Sequence, residues 1–202
     1  MLENVSIIIP VAPNEPALET LLQDLKYCRN EIITSSEGTR AKSLNAGAAK
    51  ATKDFLWFLH ADSRVSAENI IEIAQATRIK THNIHYFKLA FEGRGLPTLN
   101  AWGANMRSRL FGTPFGDQGY CLSKRNFHKI GGYPEDVPYG EDLMFIWRAR
   151  QAGIRLNALS SSLRTSPRKY MVHGWGKLTL LYQWRWISMS LPEIAKLMRG
   201  KK

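Results

Sequence analysis

Short, almost wholly apolar runs alternate along this chain with segments in which apolar residues return every three or four positions. Val5–Pro10 is one such run, and Phe55, Leu56, Trp57, Phe58 and Leu59 form another. Runs this short and this apolar predict strands buried on both faces. Residues 31–34 and 85–91 predict two more. Between them, Leu18, Leu21, Leu22 and Leu25 share one face of a helix predicted over residues 14–29. An alanine-rich helix is predicted over residues 40–52. Ser66 is placed to cap a third helix, with Asn69 where a full capping box carries Glu. The order β-α-β-α-β-α-β predicts an α/β fold with a doubly wound, mostly parallel sheet.

Beyond Gly93 the pattern changes. Residues 99–110 and 141–152 predict helices, the second closed by Gly153. Residues 115–123 predict a loop entering a strand, Lys124–Ile130 a short helix ended by Gly131 and Gly132, and residues 154–159 a last strand. The tail, residues 177–202, mixes Leu180, Leu181, Trp184, Trp186 and Ile187 with basic side chains.

Length and composition fit one soluble globular domain spanning residues 1–202. The start runs directly into a strand, which predicts no signal peptide. No apolar run reaches the roughly 18–20 residues that span a bilayer, and a cytoplasmic protein is expected. Cys28 and Cys121 fit no metal spacing and read as two reduced thiols. Charge alters this picture. The net charge is +11, and residues 1–100 hold 11 basic and 11 acidic side chains against 17 and 6 in residues 101–202. A basic second half predicts a polyanionic partner: substrate phosphates, an anionic membrane surface or nucleic acid.

The apolar run at 55–59 ends abruptly in His60, Ala61, Asp62 and Ser63. In open α/β sheets ligands bind at the carboxyl ends of strands, so a carboxylate there is a candidate metal ligand. A second acidic pair, Glu141 and Asp142, follows Gly140 at the expected start of a helix. One carboxylate for a metal and another for a proton is the minimum kit of metal-assisted group transfer. Each also has a plain reading, Asp62 as a helix cap and Glu141-Asp142 as partners of a helix dipole.

The order of these pieces resembles the family-2 glycosyltransferases of the GT-A, Rossmann-like fold. It is most similar to a short bacterial branch that includes arsenosugar-biosynthesis-type members. The matching stretches are Val5–Pro10 with Asn14 and Glu15, then Arg40-Ala41-Lys42-Ser43-Leu44-Asn45-Ala46-Gly47, then Phe58-Leu59-His60-Ala61-Asp62-Ser63. Gly116-Asp117-Gln118, Ile130-Gly131-Gly132-Tyr133, Gly140-Glu141-Asp142 and Arg164-Thr165-Ser166-Pro167-Arg168 follow. The resemblance implies an inverting transfer from a nucleotide-diphosphate sugar, assisted by Mn²⁺ or Mg²⁺. Asp62 matches the last carboxylate of the family's metal motif, and His60 stands where its first Asp usually is. His173 is a further candidate ligand. Asp142 matches the general base, with Glu141 orienting it. Pro10, Ala12, Glu15, Glu37, Arg40, Ala61, Asp117, Gln118, Arg164 and Arg168 are the implied donor or sugar contacts. Ser36-Glu37-Gly38 replaces the Asp pair that relatives carry. Asn45 and Gly47 serve either the donor or helix packing.

The acceptor is left open, with a lipid-linked one among the alternatives. The basic aromatic tail has three readings: a packed helix, a segment lying on the inner face of a membrane, or, least favoured, a nucleic-acid contact. Gln183-Trp184-Arg185-Trp186 is similar to the Gln-x-x-Arg-Trp of processive relatives but one residue short, and reads as packing or surface. The competing functions are a nucleotidyltransferase, disfavoured because residues 10–16 are neither glycine-rich nor basic, and a non-catalytic binder of nucleotide sugars or membrane surfaces.

Overall fold

The strand β1 (Val5–Pro10) pairs in parallel with β2 (Glu31–Ser35) on one side and β3 (Phe55–Phe58) on the other. Its side chains divide between two cores: Val5, Ile7 and Ile9 enter one and Ile8 the other, as the period of a strand requires. On the first face α1 (Ala17–Leu25) and α3 (Ala67–Arg78) bury Leu21, Leu25 and Ile73. On the second, α2 (Arg40–Lys50), α5 (Lys124–Ile130) and α6 (Glu141–Gln151) bury Leu44, Phe127, Phe145 and Ile146. Each fully buried Leu, Ile or Phe contributes about 1.5–3 kcal/mol. This computed structural model describes residues 2–199 except Tyr27, Arg29, Lys80, Thr81, Arg94 and Leu96, and omits the side chain of His173.

The sheet has seven strands in the order β2-β1-β3-β6-β5-β7-β4. The predicted parallel strands are there, but β6 (Cys121–Ser123) lies between β3 and β5 (Asn83–Phe91), antiparallel to both. Beyond β5, β7 (Arg155–Thr165) is parallel to it, and β4 (Ser63–Arg64) closes the edge antiparallel to β7. The helix α4 (Pro97–Phe111) follows β5, and α7 (Arg168–His173) and α8 (Trp175–Arg199) follow β7.

Several predicted boundaries move. The first helix begins at Ala17 rather than residue 14, because Asn14 takes a left-handed conformation (φ 57°) and Pro16 caps the helix. It ends at Leu25, with Cys28 N donating to Leu25 O in the turn that follows, and the predicted end at Arg29 lies outside the described residues. Asn69 completes a reciprocal box with Ser66 after all, its Oδ1 accepting from Ser66 N at 2.9 Å, since an amide oxygen accepts as a carboxylate does. The last strand, predicted over 154–159, runs to Thr165 because β5 pairs with it along almost its whole length, through a bulge. The tail is helical from Trp175 and holds Pro192 inside the helix. Among the described residues no helix is long and apolar enough to cross a membrane.

Gly47 explains how closely α2 lies on the sheet. A Cβ at this position would come 2.5 Å from Ile8 Cγ2, so its role is helix packing, and the start of α2 is held near the ends of β1 and β3.

Candidate active site

The ladder between β1 and β3 continues past Phe58, with Leu59 N donating to Ile8 O at 3.0 Å. His60, Ala61 and Asp62 therefore turn off the carboxyl edge of the sheet, next to Pro10, Val11 and Ala12 at the end of β1. Together with Glu15, Arg40 and Arg168 they line a polar cavity of about 210 Å³. A second cavity, about 470 Å³, opens beside it. Arg40, Asp62 and Lys169 belong to both.

Asp142 stands in the wall of the larger cavity. Gly140 takes φ 72° and starts α6, so Glu141 and Asp142 fall in the first turn, where the helix dipole favours negative charge. Asp142 is 8% exposed. Its Oδ2 accepts from Gly116 N at 2.7 Å and lies 3.5 Å from Arg40 Nη2, while Oδ1 accepts from Leu143 N at 2.9 Å. Arg40 Nε donates to Glu141. Burial would lower the Arg40 guanidinium, but Asp142, Glu141 and Asp117 hold it above its ordinary value. Arg40 is therefore the fixed cation between the two carboxylates of α6 and the neighbouring cavity.

His60 Nδ1 pairs with Asp117 Oδ1 at 2.5 Å. Burial alone would raise the Asp117 carboxyl; His60, Arg40 and Lys169 overcome this and hold it well below the usual carboxylate range. Gly116 is confined by the same groups, since a Cβ there would lie 3.1 Å from both Asp142 Oδ2 and His60 Nε2. The turn Gly116–Gln118 thus ties the end of β3 to the start of α6 through one backbone N–H and one ion pair.

The predicted metal set is only partly assembled. His60 lines the polar cavity beside Asp62 and pairs through Nδ1 with Asp117, and the His173 side chain lies outside the described residues. Among the described residues no group of three or more His, Cys, Asp or Glu converges as a metal cage. Asp62 nonetheless lines both cavities, and one carboxylate sharing an ion with substrate phosphates is a common arrangement for Mg²⁺. Asp62 fits that role by itself.

Other predicted contacts fall elsewhere. Glu37 is exposed and 3.7 Å from Lys50; its neighbour Gly38, not Glu37 itself, lines the polar cavity. Gln118 is fully buried and structural: its amide donates to Phe87 O and its carbonyl accepts from Phe115 N and Ser108 Oγ. Asn45 braces the turn after α5, accepting from Tyr133 N and donating to Tyr133 O. Arg164 is an exposed position of β7, carried off by the longer strand. Arg168 reaches the polar cavity but is held by Glu15, with both carboxylate oxygens within 3.1 Å of Nη2. The residue missed was Lys169. It lines both cavities, and its only sequence signal was the basic pair following Pro167.

The same fold occurs in solved structures. TarS of S. aureus superposes with a TM-score of 0.62 at 18% identity, covering 83% of this chain and 62% of TarS. A mannosyltransferase of Pyrobaculum calidifontis, solved with GDP-Man and Mn²⁺, gives 0.67 at 12% identity, covering 98% and 68%. The fold is that of the GT-A glycosyltransferases. At these identities the fold is what is shared. No family model matches the chain. Two curated proteins of Mycobacterium tuberculosis, each named an uncharacterised glycosyltransferase, are 32% identical over 56% of this chain. The match spans 45% of the length of those relatives, so it is under half of either protein. TarS has also been solved with UDP-GlcNAc and with UDP.

Proposed function

We propose that this GT-A chain transfers a hexose from a nucleotide-diphosphate sugar to an acceptor hydroxyl, with inversion at the anomeric carbon. The observation that carries the reading is Asp142. It is a buried carboxylate on the wall of the large cavity, oriented by the Gly116 N–H and Arg40, next to a smaller cavity at the strand ends. The donors seen in the structural neighbours, UDP-GlcNAc and GDP-Man, are the class that the smaller cavity suits.

In this reading the nucleotide lies along Pro10, Val11, Ala12 and Glu15, and its diphosphate meets Arg40 and Lys169. Asp62 is the residue that would hold Mn²⁺ or Mg²⁺ against the donor's own phosphate oxygens, an ion that supplies charge neutralisation for the leaving diphosphate. The acceptor oxygen forms its bond to the anomeric carbon as the bond to the diphosphate oxygen breaks. The acceptor's proton passes to Asp142, on the side facing the large cavity. Arg40 and the Gly116 N–H fix the position of the Asp142 carboxylate that receives it. Glu141 holds Arg40 in place, and the His60–Asp117 pair holds the Gly116 turn that orients Asp142.

The first test is a thermal-shift series with nucleoside diphosphates and their sugars, each in Mn²⁺, Mg²⁺ or EDTA. Ligands bound only by the native state raise the melting temperature. A metal-dependent rise with one nucleotide series is expected. No rise with any nucleotide from a protein that melts cooperatively would defeat the donor assignment.

A further inference from the structure

The acceptor side of the molecule has a character of its own. Aromatic rings dominate the walls of the large cavity, Trp102, Phe115, Tyr170, Tyr182 and Trp186 among them. On the helix side two of the polar groups are engaged: Asn100 Nδ2 donates to Thr179 Oγ1 at 2.9 Å, and the Arg185 guanidinium stacks on Tyr139 at 4.2 Å. The helix side of the cavity therefore offers aromatic surface to the body of an acceptor, and Asp142 stands on the wall to meet its hydroxyl.

The mouth of this cavity continues onto an exposed apolar face. Leu99 and Trp102 of α4 line the cavity and are also exposed. On α8, Leu180, Trp184, Ile187, Leu191, Ile194 and Met198 recur at alternating steps of four and three. At 100° per residue these six form a single stripe along the helix, roughly 27 Å long. All six are exposed; Leu180 is 74% and Trp184 69% accessible. The opposite face of α8 carries the buried Leu178 and Glu193. Lys177 and Arg199 stand on one flank of the stripe, Arg185 lies further round the helix, and the one acidic residue of the helix, Glu193, is buried and paired with Lys196. At its centre the stripe meets Leu110 and Phe111 of α4 across a shallow groove.

A second copy of this chain is a poor cover for such a stripe. Positions flanking the apolar seam are Leu181, Gln183, Ser188, Ser190, Ala195 and Leu197 with the basic Lys177 and Arg199, and no acidic side chain among them to register a helix pair, and two molecules of charge +11 repel. An anionic lipid surface complements both features. The apolar face enters the acyl boundary while lysine and arginine heads stay among the phosphates.

We propose that α8 and the exposed edge of α4 lie on an anionic membrane surface, and that the large cavity draws its acceptor from there as an amphiphile, an apolar body bearing the hydroxyl to be glycosylated. The acceptor part of this inference rests on the transferase reading; the docking part does not.

The test is flotation of the full chain with vesicles of phosphatidylcholine alone or with phosphatidylglycerol added. The chain should float with the anionic vesicles and be released by salt. The triple variant Leu180→Ser, Trp184→Ser, Leu191→Ser should lose about tenfold or more of this binding while keeping its melting temperature and its nucleotide-induced shift. In parallel, octyl glucoside below its micelle concentration should quench tryptophan fluorescence at concentrations where methyl glucoside does not. If nucleotides shift the melt but neither anionic vesicles nor octyl glucoside bind, the proposal fails and the transferase reading stands. The proposal also fails if the triple variant floats like the parent, or if the parent is a dimer that the variant breaks while vesicles bind neither. If vesicles bind but no nucleotide does, docking stands and the acceptor assignment falls with the donor reading.

Discussion

The polar cavity at the strand ends and the aromatic cavity beside it differ in how the chain builds them. Backbone turns at the ends of β1 and β3 form most of the first, and its charged groups come largely in pairs: Glu15 with Arg168, and Arg40 with Glu141 and Asp142. Helix faces from α4, α7 and α8 form most of the second, and its charged groups Arg40, Asp62, Asp142 and Lys169 stand where it meets the first. The difference teaches where each kind of specificity resides. On the proposed reading, a charged diphosphate would be met by groups whose positions the sheet fixes. An acceptor would be met by side chains on helices, which exchange shape without disturbing the sheet.

The sharpest test of this division falls on Asp142, at the seam. Asp142→Asn should lower transfer by about 10²- to 10⁴-fold, the usual worth of a general base, while nucleotide affinity stays near that of the parent. Transfer at the parental rate in single-turnover assays would remove the base assignment. Next comes the donor side. Asp62→Ala should weaken nucleotide-diphosphate binding about tenfold or more in Mn²⁺, the fold-loss expected on losing a metal-orienting partner, and have little effect in EDTA. Calorimetric affinities that fall equally in both would assign Asp62 a role other than the metal.

On the acceptor side, Trp102→Ala should raise the acceptor KM several-fold, about 1 kcal/mol of lost aromatic contact, with the nucleotide-induced melting shift unchanged. A change in the nucleotide shift instead would merge the two cavities into one site. The smallest expected effect is on stability against pH. Asp117 holds its charge to lower pH in the native state than in the unfolded chain. Its stabilisation is therefore full above the ordinary carboxylate range and is lost as pH falls through and below that range. Asp117→Asn should flatten the acid limb of the stability curve in urea titrations; an unchanged acid limb would show that the His60 pair contributes nothing to folding.

Much of the N-terminal half was legible at the level of single residues, Glu37 and Asn45 excepted. Pro10, Ala12, Glu15, Arg40, His60 and Asp62 were assigned to one site, and all of them line or border the cavities at the carboxyl ends of β1 and β3. Apolar runs fix strands, strands fix which end is open, and residues just past that end reach the ligand. Other contacts were less legible. Gln118 and Glu37 occupied suggestive positions, yet one is buried as a brace and the other faces solvent and Lys50.

Sequence by itself determined the α/β alternation, the two-sided burial of β1 and β3, and the placing of Asp62 and Asp142 at a strand end and a helix start, because each follows from local periodicity. Tertiary structure alone decided that β6 inserts between β3 and β5, that β7 runs on past Arg164, and that His60 pairs with Asp117. It alone brought Lys169 to both cavities and left one stripe of α8 uncovered. These depend on pairings between residues far apart in the chain, where the free energy of packing a whole face outweighs any preference that a short segment carries.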